Sequence, residues 1–255
     1  MFTAYGLSAD KLDLIEDMYR KIDITKKTEL FWQVFAKGLL PKYIDSIVQG
    51  RDELDIPVCF PVCYIPVLST RYYWIYGEYN RIWERYISAA TCFPFLKVFP
   101  PIMRGRIAID GGAVDNIPIY PLLKAQEHTN RPLDLIFALH FDAQYEYRKI
   151  FQTDVPIVDV DLSICSNFEK NHFNYSSRVM DERISRAYEY GDKLASMLFD
   201  DGDISREALQ RKANEIFIAE HAARQRNMSG DRLVSILNVI GRAFRNDSRC
   251  MKRLF

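Results

Sequence analysis

The sequence lacks the features that would place it across a membrane or on a nucleic acid. Its 255 residues contain no window of 18 uninterrupted apolar residues, and its first residues have neither the basic flank nor the apolar core of a signal peptide. Net charge is also absent, since 34 basic side chains balance 34 acidic ones. We therefore expect a soluble, cytoplasmic chain without an integral membrane segment. Its net charge implies neither nucleic acid nor an anionic membrane surface as a partner.

Metal-ligand patterns are missing as well, and we expect neither a metal nor a cofactor. The five cysteines have no zinc spacing, and their odd number among apolar neighbours suits core packing in a reducing compartment. Asp159 and Asp161 point to one side of a predicted strand, which is a weak metal pair without further acidic partners. Four scattered histidines complete the titratable candidates, and one of them, at the end of a strand-like run, either faces a site or belongs to the core. They are His128, His140 (the one at the strand end), His172 and His221.

Glycine is scarce, and the chain has one adjacent pair of glycines. Gly111 and Gly112 directly follow Asp110, which ends a short run in which Ile107 and Ile109 alternate as in a strand. The glycines allow a tight turn, so the carboxylate is expected at a strand end, where open α/β sheets keep their sites. The alternative is that Asp110 only begins a turn.

Periodicity predicts an α/β fold with a mostly parallel sheet, because strand-like runs alternate with helical patterns. Three prolines in the first strand make it irregular or place it near an edge, and the run at 134–141 is expected to be covered on both faces. The predicted strands are 57–65, 72–76, 107–109, 134–141 and 155–162. The predicted helices are 8–22, 30–39, 81–90, one beginning at Pro121, 179–198, one beginning at Ser205 and continuing to 222, and 228–254.

Three stretches carry a resemblance to a known family. They are Ser88-Ala-Ala-Thr-Cys-Phe-Pro-Phe-Leu-Lys-Val-Phe-Pro-Pro-Ile, Gly105-Arg106, and Asp110-Gly-Gly-Ala-Val-Asp-Asn-Ile-Pro-Ile. Together they resemble the patatin-like phospholipases, in which a Phe-Pro-Pro-like stretch and a short hairpin lead to a catalytic Asp-Gly-Gly and an Asn-x-Pro. The stretch Tyr188-Glu-Tyr-Gly-Asp resembles a weaker Tyr-x-x-Gly feature of bacterial members.

The resemblance implies a fold and a domain division. The fold is the patatin-like three-layer α/β/α arrangement with a mostly parallel sheet, with N-terminal strands missing and a helical C-terminal extension. The division is a patatin-like α/β domain over 1–165, incomplete at its N-terminus, followed by a helical segment over 166–255.

The resemblance also implies an activity, the hydrolysis of lipid acyl esters by a Ser-Asp dyad. Asp110 is then the general base, and Gly111 and Gly112 form the turn that aims it. Asp115 is more simply a carboxylate that stabilises the turn. Three aromatic residues line an acyl pocket or are packed in the core: Phe93, Phe95 and Phe99.

The chain departs from this family in lacking its nucleophile. The Gly-x-Ser-x-Gly elbow and the glycine-rich oxyanion loop are both absent, and the nearest approach is Gly6-Leu-Ser-Ala-Asp. Ser8 lacks the final glycine and a preceding strand, so we interpret it as a helix N-cap. Three hypotheses follow. The chain is the C-terminal portion of a lipid hydrolase, inactive as given, or it is a non-catalytic protein that binds a lipid or another protein. The third is that it is an unrelated α/β domain with a chance Asp-Gly-Gly.

Overall fold

The structure is a computed structural model that describes residues 12–20, 53–78, 82–90, 92, 100–129, 131–140, 151, 153–163 and 176–227. The chain forms two compact units. Unit 1 comprises 1–116, 173–180 and 236–255, and unit 2 comprises 117–172 and 181–235. Among the described residues, no helix is long and apolar enough to cross a membrane.

Unit 1 is built on a four-stranded sheet in the order β2-β1-β4-β3, with every neighbouring pair antiparallel. Its elements are α1 (Leu12–Arg20), β1 (Glu53–Ile65), β2 (Ser69–Glu78), α2 (Ile82–Ala90), β3 (Ile102–Met103) and β4 (Arg106–Asp110). One face of the sheet packs on α2 through Val62, Tyr64, Ala108 and Ala89. The described helices and the strand at 57–65 agree with the sequence pattern.

Two short turns impose the antiparallel pairing. The turn between β1 and β2 spans three residues and contains Leu68 at φ 50°. The turn between β3 and β4 is Arg104-Gly105, with φ of 51° and 71°, as a type I′ hairpin turn requires. Parallel strands need a crossover of a dozen or more residues, so strands joined by such turns can pair only as hairpins.

The expected fold class is therefore wrong. The protein is mixed α/β, but its larger described sheet is antiparallel, and the described parallel pairing is confined to two strands. It is not a three-layer α/β/α fold on a mostly parallel sheet. The alternation of strands and helices in the sequence was misleading, because β1 with β2 and β3 with β4 have no helix between them.

The prolines of β1 coincide with its irregular positions. The pairing of β1 with β2 shifts register between Leu54 and Val58, the interval that contains Pro57. Pairing with β4 begins at Val62, directly after Pro61. A proline has no N–H to donate to a sheet, so the ladder on the β4 side starts beyond it. β1 is nevertheless an inner strand, paired on both sides.

Unit 2 holds the parallel pair β5 (Ile136–His140) and β6 (Ile157–Asp161), preceded by α3 (Ile119–Thr129). One face of this pair packs on α3 through Ile119, Ile136 and Ile157. The expectation that both faces of β5 are covered is wrong, since Phe137 and Leu139 expose 45% and 55% of their surface. β6, in contrast, is buried along its whole length.

Two long helices complete unit 2 and cover the other face of β6. α4 (Ser177–Phe199) enters the unit at Asp181, and α5 (Arg206–Asn227) follows. Val158 and Val160 of β6 share a core with both helices. Ser205 accepts a hydrogen bond from the Ala208 amide at 3.3 Å, which confirms it as the cap of α5. The helices predicted at 30–39 and 228–254 lie outside the described residues.

Candidate active site at the Asp-Gly-Gly turn

Asp110 is the last residue of β4, and the chain turns immediately after it. Gly111–Ala113 form a single 3₁₀ turn with Asp110 as its N-cap. The Asp110 side chain accepts a hydrogen bond through Oδ1 from the Gly112 amide at 2.8 Å. The Asp110 amide donates to the Cys92 carbonyl at 2.9 Å, just beyond α2. The carboxylate is thus held at both its backbone and its side chain.

Gly111 is required by close packing. A Cβ at this position would lie 2.4 Å from the carbonyl carbon and oxygen of Pro61 on β1. Any side chain would force two paired strands apart, because the two nearest obstructing atoms belong to the backbone. At Gly112 a Cβ would lie 3.1 Å from the side-chain oxygens of Asp110 and Asn116. The first glycine therefore sets the approach of β4 to β1, and the second leaves room for the carboxylate.

Burial gives the Asp110 carboxylate an unusual basicity. Removal from water disfavours the charged form and raises the pKa of Asp110 above its ordinary value, although the hydrogen bond from Gly112 partly lowers it. Among the residues that the structure describes, no donor binds Oδ2. The carboxylate therefore has one oxygen that anchors it and one that is available to accept a proton.

The thiols next to this turn are poor nucleophiles. Burial, and to a smaller extent the charge of Asp110, raises the pKa of Cys63 to about 11. The pKa of Cys59 is raised to about 12, chiefly by burial and secondarily by the charge of Asp115. Because the thiolate is the attacking species, both residues are protonated and unreactive near neutral pH.

Asp115 has a different partner from Asp110. The Tyr72 hydroxyl of β2 donates a hydrogen bond to the Asp115 carboxylate. The Asp115 amide donates to the Gly111 carbonyl at 2.8 Å, which closes the turn. Asp115 therefore ties the end of the Asp-Gly-Gly turn to the far strand of the sheet.

The remaining candidates belong to unit 2 or lie outside the described residues. His140 ends β5 and pairs in register with Asp161 of β6, and both are buried in unit 2 together with Asp159. Ser8, His172 and the three phenylalanines of the expected acyl pocket, Phe93, Phe95 and Phe99, lie outside the described residues. His128 lies on α3 and His221 on α5, and the structure describes only the backbone at these two residues. Among described residues, no group of three or more His, Cys, Asp or Glu could hold a metal ion.

Unit 2 also contains an open groove of about 820 Å³. Its lining contains charges of both signs, among them Arg206, Arg211, Asp154 and Glu215. Arg211 and Glu215 already form an ion pair at 3.4 Å. An open groove whose charges compensate one another lacks the enclosed shape of a ligand pocket, and we assign it no function.

Sequence reasoning found Asp110 and both glycines but missed the groups that hold them. The packing of Gly111 on Pro61, the Cys92 carbonyl and the Tyr72 hydroxyl all come from sequence-distant segments. The one local signal was the doubled glycine, which indicates a position where a side chain does not fit. Comparison with models of protein families, with curated proteins and with solved structures finds no match to this chain. The resemblance to the patatin-like phospholipases thus rests on the motifs of the chain itself.

Proposed function

We propose that the Asp-Gly-Gly turn is the base half of a Ser-Asp acyl-transfer site, and that the chain derives from a patatin-like lipid acyl hydrolase. The observation that carries the proposal is the Asp110 carboxylate, which is anchored through Oδ1, partly desolvated and raised in pKa. These are the properties that a carboxylate needs to deprotonate a serine without a histidine. The residue motifs over 88–119 support the same function.

The chemistry assigned to Asp110 is proton transfer. Oδ2 takes the proton of a serine hydroxyl while its Oγ attacks the ester carbonyl, and then passes that proton to the leaving alkoxide, so that an alcohol departs and an acyl-serine remains. Water then attacks the acyl group while Asp110 accepts its proton, and Asp110 returns that proton to the serine Oγ as the carboxylic acid is released. A desolvated carboxylate is a stronger base than one in water, whose pKa is about 4. Gly112 keeps the carboxylate oriented through both steps.

The 255 residues contain no Gly-x-Ser-x-Gly elbow that would supply the serine. No described serine donates a hydrogen bond to Asp110. The proposal therefore expects the elbow and its glycine-rich loop to be encoded in frame before Met1. The 255-residue chain by itself is expected to hydrolyse no ester and to react with no fluorophosphonate probe.

The test uses the reading frame that contains the elbow. Its product is expected to cleave p-nitrophenyl acyl esters and to be labelled at the elbow serine. Asp110→Asn keeps an acceptor for the Gly112 amide and removes the base, so it should reduce hydrolysis about 10²–10⁴-fold without unfolding the protein. A stop codon directly before Met1, with no elbow in any frame, would contradict the proposal.

The alternative function is non-catalytic binding of a lipid or another protein. It expects a folded 255-residue chain in which Asp110→Asn has no functional consequence. Labelling of that chain at Ser8 by a fluorophosphonate, identified by mass spectrometry of the digested protein, would refute the alternative and reveal an unusual enzyme.

A further inference from the structure

One end of the antiparallel sheet carries aliphatic side chains that are open to solvent. Because β1 pairs with β4, the β1–β2 turn and the β3–β4 turn lie at the same end of the sheet. Val67, in the first turn, exposes 66% of its surface. Ile102 and Ile107 face each other across the second hairpin and expose 73% and 42%. Three aliphatic side chains therefore project at or beside two adjacent turns.

Arginines lie near the same end of the sheet, on the opposite face from Ile102 and Ile107, because Arg71 and Arg106 share the face of Val62 and Met103. Arg104 lies in the second turn, Arg106 begins β4, and Arg71 lies two residues beyond the start of β2, and all three are exposed. The Arg104 guanidinium lies 5.9 Å above the Tyr73 ring. We name Val67, Arg71, Ile102, Arg104, Arg106 and Ile107 together the tip surface.

The tip surface has a positive charge that the net charge of the protein conceals. Residues 56–77 and 100–109 contain no Asp or Glu. None of its arginines forms an ion pair with a residue that the structure describes. Arg71 and Arg104 both act electrostatically on the Tyr64 hydroxyl, which places two cations near one phenol. Such a cluster attracts a surface of the opposite charge.

A bilayer fits this combination better than a protein does. Specific protein interfaces bury about 800 Å² on each partner, which requires a broad complementary surface. Three aliphatic residues at or beside two turns make a small projection instead. A projection of this kind enters the boundary between headgroups and acyl chains, while arginines bind the lipid phosphates.

We propose that the tip surface docks the protein on anionic lipid bilayers. The inference does not depend on the acyl-transfer function, because it uses no residue of the Asp-Gly-Gly turn. It gives a protein without a membrane-spanning helix in its described part a way to reach a lipid surface.

The test is sedimentation of the full 255-residue chain with sucrose-loaded vesicles. One set contains phosphatidylcholine alone, and the other contains phosphatidylcholine mixed with phosphatidylserine. The chain should bind the anionic vesicles, and binding should weaken as salt is raised. Arg104→Asn with Arg106→Gln should reduce affinity about 25-fold, at about fivefold for each charge. Asparagine tolerates the positive φ at position 104, so the hairpin is retained.

Matched variants separate the tip surface from charge in general. Arg178→Gln with Arg206→Gln removes the same charge from exposed helical positions and should leave binding unchanged. Val67→Ser with Ile102→Ser should weaken binding even at low salt, since it removes the inserted groups. The proposal is overturned if the chain ignores anionic vesicles or if the helical variant loses as much binding as the tip variant. Self-association on size exclusion that Val67→Ser with Ile102→Ser abolishes, without vesicle binding, would identify an interface between two copies instead.

Discussion

Gly111→Ala tests the packing that positions the candidate base. The new Cβ would lie 2.4 Å from the carbonyl carbon and oxygen of Pro61 and 2.5 Å from its Cβ. Real Cβ atoms do not approach so closely, and the two nearest obstructing atoms are backbone atoms of a paired strand, so β1 and β4 must separate. Overpacking of this kind costs about 3 kcal/mol at the upper end of its usual range. Restricting the unfolded chain by replacing glycine returns less than about 1 kcal/mol. The expected net loss is about 2 kcal/mol.

Tryptophan fluorescence during urea unfolding measures this loss in unit 1, to which Gly111 belongs. All three tryptophans of the chain, at positions 32, 74 and 83, belong to unit 1. With a denaturant dependence of about 2 kcal/mol/M, the midpoint should fall by about 1 M. Gly191→Ala provides the matched control, because nothing lies within 4 Å of a Cβ there and the position is inside α4. It should stabilise unit 2, followed by helical circular dichroism, by up to about 1 kcal/mol. A Gly111→Ala midpoint equal to or above the original would refute the packing argument.

Three further predictions concern charge and hydrogen bonding. Asp110→Asn should stabilise the protein at pH 7. Burial raises the pKa of Asp110 in the folded state, so the folded protein binds this proton more tightly than the unfolded chain does. Ionisation of Asp110 therefore lowers the free energy of unfolding at pH values above the folded-state pKa. Below the ordinary value of 3.8 the carboxyl is protonated in both states and this loss disappears. The gain should therefore shrink between pH 7 and pH 4 in urea unfolding, and a constant gain would contradict it. Lys212→Met should lower the stability of unit 2 by about 1–3 kcal/mol, because the buried ammonium donates to the Leu198 and Asp203 carbonyls. Its control is the solvent-exposed Lys124→Met, which should have no measurable effect on helical circular dichroism melting. Tyr72→Phe should lower the fluorescence midpoint of unit 1 by about 0.5 M, because it removes the hydrogen bond to Asp115; an unchanged midpoint would show that the bond does not stabilise the turn.

The sequence predicted local elements better than the way they pair. Helices such as Ile82–Ala90 and the cap at Ser205 follow from periodicity and capping, which act within a few residues. Strand direction depends on the connections between strands. The Arg104-Gly105 turn carries an arginine where asparagine or glycine is usual, so its type I′ geometry was not evident from residue type. The resemblance implied a short hairpin before Asp110, but the antiparallel pairing of the whole sheet was missed.

In the candidate site, likewise, residues adjacent in sequence were recognisable and residues brought in by strand pairing were not. Asp110 and its glycines stand together in the chain and were recognisable as a carboxylate on a tight turn. The Pro61 backbone and the Tyr72 hydroxyl, which confine that turn, lie 49 and 38 residues before Asp110 and reach it only through strand pairing. The arginines of the tip surface were hidden likewise, because Arg71 and Arg104 are brought together by the sheet and their charge cancels in the whole-chain sum.

The most direct test of Asp110 as a desolvated base is its own titration. In protein labelled with ¹³C at the aspartate carboxyl carbon, the Asp110 resonance is identified by its absence in Asp110→Asn and followed between pH 2 and pH 8. The account predicts a midpoint above the ordinary value of 3.8, with exposed aspartates such as Asp201 titrating below it because of the hydrogen bond from Lys212. An Asp110 midpoint at or below 3.8 would show a solvated or ion-paired carboxylate and would contradict the central claim.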